Sequence, residues 1–194
     1  FAELGINAIE LMPIMEFEGD YSWGYNTSFA MAPETTYGTP EELKEFIDIA
    51  HQNNIAILLD VVYNHTTEGD QNGPIISWKG FGESVYYHQN EQNDFLDVTG
   101  CGNTVAANQP IVRQLILESI RCWANELGVD GFRFDLGVAL SRGKDLVPLD
   151  SPPIFEEIES DPLLGDIKLI SEPWDCGGLY RLSDFPAKRI STWN

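Results

Sequence analysis

Residues 55 to 62 read Ile-Ala-Ile-Leu-Leu-Asp-Val-Val, an almost unbroken apolar run. A strand with one wet face alternates apolar and polar residues, so an unbroken run of this length is the pattern of a strand covered on both faces, as in parallel sheets. Asp60 interrupts it, and a carboxylate at such a place is costly unless something bonds to it. Helical patterns stand on either side. Thr39-Pro40-Glu41-Glu42 supplies an N-cap, a proline at the first helical position and a capping box. Leu43, Phe46, Ile47 and Ala50 follow at helical spacing up to Asn53-Asn54. Pro110 opens a second helix in which Val112, Leu115, Ile116, Ile120, Trp123 and Leu127 share a face, and Gly128 stops it.

Three further runs read as strands: a buried one over residues 6–14 ending near Pro13, one over 129–136 and one over 167–171, with a short helix over 152–160. The resulting order is strand, helix, strand, helix, strand, helix, strand. Such alternation predicts an α/β fold with a parallel sheet and right-handed crossovers. It does not choose between a barrel and an open sheet. No glycine-rich phosphate loop follows the first strand, which argues against a dinucleotide fold. Residues 66–108 are rich in Gly, Asn, Asp and aromatic residues and show no sustained period. They read as a long loop, and long loops in compact domains tend to be functional.

The chain carries 11 Lys+Arg against 31 Asp+Glu, a formal charge of -20, so nucleic acid and anionic membrane surfaces are excluded as partners while a neutral polymer is not. No apolar run approaches the ~20 residues of a membrane span, and no signal peptide pattern is present. Cys101, Cys122 and Cys176 are widely spaced and odd in number, which predicts reduced thiols and an intracellular compartment. The chain opens on Phe1-Ala-Glu-Leu-Gly5, which reads as the last turn of a helix, and stops at Trp193-Asn194 without a closing element. The expectation is an internal fragment.

The chemical groups gather at the C-terminal ends of the predicted strands, where α/β enzymes place their sites. In Gly131-Phe-Arg-Phe-Asp135 the alternation of a strand puts Arg133 and Asp135 on one face, and a fixed arginine keeps a nearby carboxylate ionised. Taken alone, Arg-x-Asp is more often the pattern of a structural ion pair, and it is the position at a strand end that favours the functional reading. Glu172, before Pro173, is either a helix cap or a general acid whose pKa is raised by desolvation against Trp174, with no cation nearby in sequence. Asn64 and His65 follow Asp60 and are either structural or donors to sugar hydroxyls. Tyr21, Trp23 and Tyr25 flank Gly24 and are either core aromatics or a platform for the apolar face of a sugar ring. An ionised carboxylate, a second carboxyl of raised pKa and such a platform are the equipment of a retaining glycoside hydrolase.

Three runs, Asp60-Val-Val-Tyr-Asn-His65, Gly131-Phe-Arg-Phe-Asp135 and Ile170-Ser-Glu172-Pro-Trp-Asp175, resemble the first three conserved regions of the α-amylase superfamily, in the same order. Trp23-Gly-Tyr-Asn26, Gly100-Cys-Gly-Asn-Thr104 and Trp174-Asp-Cys-Gly-Gly-Leu-Tyr180 resemble its isoamylase and glycogen-debranching branch. The resemblance implies that residues 1–194 are part of one catalytic (β/α)₈ barrel, about strands 2 to 5, with 66–108 a loop insertion after the third strand. By it, Asp135 is the nucleophile, Glu172 the general acid/base and Arg133 the arginine supporting the nucleophile. His65 bonds the sugar in the cleaved subsite, Tyr25 stacks beneath that sugar, and Asp60 and Asn64 shape the site. In many amylases this Asn is also a calcium ligand.

After Asp135 the chain reads Leu-Gly-Val-Ala, without the Lys-His pair of typical α-amylases. That departure argues against α-1,4 endo-cleavage and against a calcium site. The expectation is therefore a cofactor-free hydrolase of α-1,6 branches in glycogen, amylopectin or limit dextrin, in bacterial cytoplasm or plastid stroma. Its rivals are a branching or transfer enzyme of the same superfamily and a non-catalytic glucan-binding subunit.

Overall fold

The computed structural model describes residues 1–194. Along the chain, β1 (Ala8–Leu11) leads into an antiparallel hairpin of β2 (Met15–Phe17) and β3 (Thr27–Pro33). Then come α1 (Pro40–Gln52), β4 (Ala56–Val61), α2 (Lys79–Tyr86) and α3 (Pro110–Arg121). The chain continues through β5 (Gly131–Phe134), α4 (Pro153–Ser160), β6 (Lys168–Ser171) and β7 (Ser191–Thr192). The strands β1, β4, β5, β6 and β7 form one sheet in that order, every pair parallel. A doubly wound sheet reverses its strand order at a switch point. Here spatial order follows chain order without reversal, which is the winding of a barrel.

Local sequence explains the elements. Thr39 accepts from the amide of Glu42 at 3.2 Å, and the Glu42 carboxylate accepts from the amide of Thr39 at 2.8 Å, so α1 begins with its capping box closed. Of its apolar face, Ile47 and Ala50 are buried. β4 is buried along nearly its whole length, as an unbroken apolar run requires. The helix α3 turns inward with Val112, Ile116, Ile120 and, in the π-helical turn that continues it, Trp123. The indole of Trp123 and the hydroxyl of Ser119 both donate to the carbonyl of Ala30, at 2.8 and 2.6 Å, which ties this helix to β3.

Four features differ from the expectations drawn from sequence. β1 is not buried: its residues alternate between exposed and half-buried, because it pairs only with β4 and its other flank is uncovered. The β2 and β3 hairpin is absent from the strands read in the sequence; in it Phe29 is exposed and Ala30 buried. β7 is a fifth parallel strand, too short to leave a hydrophobic signature. The 66–108 segment contains α2, kinked at Gly82, and is organised by the fully buried Glu68. That carboxylate accepts from the amides of Ile76, Ser77 and Lys79, at 2.8, 2.8 and 3.0 Å, and from the hydroxyl of Tyr87. Asn103 closes the loop on its own start, accepting from the Thr66 amide at 3.1 Å and donating to the Thr66 and Gly69 carbonyls at 3.0 Å each.

Candidate active site

Strand register builds the site. Asp60 pairs with Arg133 across β4 and β5, so the two side chains stand next to each other on one face. Phe134 pairs with Ser171 across β5 and β6, so the following residues, Asp135 and Glu172, leave adjacent strands side by side. The ladder continues one step beyond the strands, with the Asp135 amide donating to Val61 at 3.0 Å and the Glu172 amide to Phe134 at 3.1 Å. Asp135, Glu172 and Arg133 line one open cavity of about 540 Å³, together with Met12, Trp23 and Tyr25.

Arg133 is the hub. Its Nη1 donates to both carboxylate oxygens of Asp60 at 2.9 Å and, at 3.4 Å, to Asp135 Oδ1. Its Nη2 donates to Glu172 Oε1. The guanidinium also lies 4.8 Å from the ring centroid of Trp193, a cation–π contact. Tyr25 donates its hydroxyl to Asp60 Oδ2 at 2.6 Å, which fixes its ring at the cavity wall. Asn64 Nδ2 donates to the main-chain carbonyl and to Oδ2 of Asp135, at 2.7 and 2.9 Å. Its Oδ1 meets His65 Nδ1 at 2.6 Å, and since that oxygen only accepts, the ring donates there. His65 Nε2 is left buried without a protein partner. Glu172 Oε2 accepts from the amide of Leu136 at 2.8 Å.

Burial raises the pKa of Asp135, opposed by the Asn64 hydrogen bond and by Arg133. Burial likewise raises that of Glu172, opposed by the Leu136 amide and Arg133 and reinforced by the charge of Asp135. Asp60 is pushed up to about 6 by burial, against the pull of Tyr25 and Arg133. Burial pushes His65 down to about 4, against the pull of the Tyr25 main chain and of Asp97, so its imidazole is neutral at pH 7.

The arrangement corrects two sequence expectations. Arg133 does not distinguish the two carboxyl groups by serving Asp135 alone: it bonds Asp60 and Glu172 more closely than Asp135, whose own oxygen is held by Asn64. Trp174 does not line the cavity. It stacks on Tyr180 at a centroid distance of 6.4 Å and stands 6.4 Å from Trp193, which is the ring beside Arg133. Trp23 lines the cavity and is 79% exposed, while Tyr21 is fully exposed outside it. Gly24, between Trp23 and Tyr25, has φ 90, and a Cβ there would stand 2.2 Å from the carbonyl oxygen of Pro13, so only glycine lets the loop close onto the end of β1. Met12, Trp193 and the Leu136 amide were not foreseen. The first reads as strand interior, the second follows no period, and a main-chain donor has no sequence signature.

The residues do not fit a calcium ion at Asn64, because its amide is fully engaged with Asp135 and His65, and no group of three or more His, Cys, Asp or Glu side chains is placed to hold a metal ion, the three carboxylates nearby being gathered on Arg133.

Residues 1–97 match the family described as Alpha amylase, catalytic domain. Over 99% of its length the chain is 43% identical to isoamylase 3, chloroplastic, of Oryza sativa subsp. japonica, covering 28% of that protein. It is 36% identical over its whole length to the glycogen debranching enzyme of Serratia proteamaculans, covering 32% of it. A pullulanase from Paenibacillus barengoltzii, crystallised with maltotetraose, superposes over the whole chain with a TM-score of 0.80 at 27% identity, the chain covering 32% of it. The chain thus spans under a third of the length of these proteins. With the barrel winding, the three strand-end motifs and these matches together, the chain belongs to the α-amylase family, in the company of its isoamylases and glycogen debranching enzymes.

Proposed function

We propose that this chain carries the catalytic face of a hydrolase that cleaves α-1,6 branches of glycogen, amylopectin or limit dextrin with retention of configuration. The observation that supports it most is the pair Asp135 and Glu172, set side by side by strand register and facing one cavity with Tyr25 and Trp23. Asp135, aligned by Asn64, attacks the anomeric carbon. Glu172 gives its proton to the branch oxygen, and water then releases the glycosyl-enzyme with Glu172 as base. Tyr25 and Trp23 offer rings to the sugar, and the free Nε2 of neutral His65 offers it a hydrogen-bonding partner.

The change of role at Glu172 follows from its surroundings. Burial keeps its pKa high, and the charge of Asp135 adds to this. Once Asp135 is esterified that charge is gone while Arg133 remains, so the Glu172 pKa falls and the group becomes a base.

The linkage reading rests on the departure after Asp135, where Val138 and Ala139 are buried and apolar, and on relatives named isoamylase and glycogen debranching enzyme. Within this reading, residues 1–194 are part of one catalytic barrel with 66–108 as an insertion, in a bacterial cytoplasm or a plastid. The full-length protein is expected to release linear chains from amylopectin and deepen its iodine colour while leaving amylose intact. Rapid loss of viscosity and colour from amylose would instead indicate an amylase. Chain transfer without a rise in reducing ends would indicate a branching or transfer enzyme.

A further inference from the structure

A second polar cavity, of about 310 Å³, lies between the long loop after β4 and the connection after β5. His88, Gln89, Asn108, Gln109, Lys144 and Asp145 are among its walls. The side-chain Nε2 atoms of His88 and Gln89 are both buried with no protein hydrogen-bond partner, a state that buried polar groups rarely keep. The opposite wall is strained: Asp145 and Leu146 take φ 55 and φ 58, a region costly for residues bearing a side chain. Arg142 holds that turn in place, donating from Nη1 to the Leu146 carbonyl at 2.6 Å and from Nε to buried Asp175 at 2.7 Å. Strained backbone of this kind persists where the surroundings impose it, commonly at ligand sites.

The lining defines the ligand. Burial, aided by the neighbouring Arg142 cation, pushes His88 down to about 4, so its ring is neutral at pH 7. Lys144 and Asp145 cancel in charge. The Asn108 amide is taken up by the Leu140 and Arg142 carbonyls. The remaining groups are the Gln89 and Gln109 amides, the Ser84 hydroxyl and the His88 imidazole, which both donate and accept hydrogen bonds and favour a neutral polyhydroxyl molecule over an ion. The formal charge of -20 further disfavours anions. His65 shows the same chemistry beside Asn64 at the first site, a neutral buried imidazole whose Nε2 has no protein partner.

Both walls are tied to the strand ends that carry the catalytic carboxyl groups. The His88 amide donates to Thr104 at 2.9 Å, and the next residue, Val105, donates to Asn64, which holds Asp135. Arg142 bonds Asp175, three residues beyond Glu172.

We infer that this cavity is a second saccharide site, in which His88 and Gln89 hydrogen-bond a glucosyl unit of the same α-glucan on the catalytic face. The inference rests on the α-glucan reading of the first site. Full-length protein made inactive by Glu172→Gln is titrated calorimetrically with maltotriose, with and without the further changes His88→Leu and Gln89→Leu. The double change is expected to remove one binding equivalent or to weaken it by about tenfold or more, the scale of one to two lost hydrogen bonds. His88→Gln, which keeps a polar end, should retain that equivalent. The His88 imidazole resonance, assigned by its loss in His88→Gln, should shift with maltotriose and stay unmoved with inorganic phosphate. It decides the matter if the double variant melts early. An unmoved resonance, with the same number of equivalents in all variants, would mean that water alone completes these groups and would overturn the inference. Failure of the debranching reading shows separately, as unsubstituted enzyme that releases no linear chains from amylopectin.

Discussion

At the scale of single residues the site is one arginine shared among three carboxylates. Glu172, Asp135 and Asp60 all answer to Arg133, so the difference between them comes from their other partners: Asn64 for Asp135, the Leu136 amide for Glu172, Tyr25 for Asp60. The charged members were legible because Asp, Arg and Glu at strand ends are conspicuous in apolar runs. The sharing was not, since it depends on register between β4, β5 and β6, which no single strand encodes. His65 provides a test by pH. Its folded pKa, about 4, lies below the ordinary 6.5, so between those values the unfolded chain takes up a proton that the folded one refuses. Stability attributable to it is complete above pH 6.5 and is lost as pH falls toward 4. In the full-length protein His65→Gln should remove about 2 kcal/mol of the stability difference between pH 7 and pH 5. Urea melts at the two pH values read this directly. An undiminished difference would show that His65 titrates normally.

At the scale of elements, helices with explicit end signals were legible in the sequence: the Thr39 capping box, Pro110 and Gly128 mark where α1 starts and where α3 and its π-helical continuation begin and end. The hairpin of β2 and β3 and the order within 66–108 were not, because they are made by distant partners. The former uses a short bulged pairing, the latter the carboxylate of Glu68. Glu68→Ala would orphan three amides and leave the buried Tyr87 hydroxyl with Thr66 as its one partner, so a loss of about 3 kcal/mol or more is expected. Limited proteolysis should then cut within residues 69–80 first. Cutting confined to other loops would deny Glu68 this role. The turn after Asp135 has a different constraint: a Cβ on Gly137 would stand 1.9 Å from Ser171 Oγ. Gly137→Ala should cost about 1 to 3 kcal/mol by overpacking. Ser171→Ala in the same chain should restore part of it, as seen in the melting temperatures of the single and double variants.

At the scale of the whole molecule, the parallel sheet was legible from the alternation of elements, while the choice of barrel winding came from the resemblance, which implied about strands 2 to 5. β1 and β7 are sheet edges, and Phe1, Leu4, Met12 and Trp193 are large apolar side chains left exposed near them. Unpaired edges beside apolar surface promote association. Residues 1–194 produced alone should therefore elute as oligomers in size-exclusion chromatography and melt without a sharp transition. A monomer with a cooperative melt would show that the five strands suffice. The central claim is that Asp135 and Glu172 form a nucleophile and acid pair, and a trapped intermediate tests it most directly. Full-length protein carrying Glu172→Gln, given an α-maltosyl fluoride, needs no acid for the first step but lacks the base for the second. The account predicts a maltosyl adduct by intact mass, mapped by peptide sequencing to Asp135 and absent when Asp135→Asn is added. An adduct on another residue, or turnover of the fluoride that survives Asp135→Asn, would contradict it.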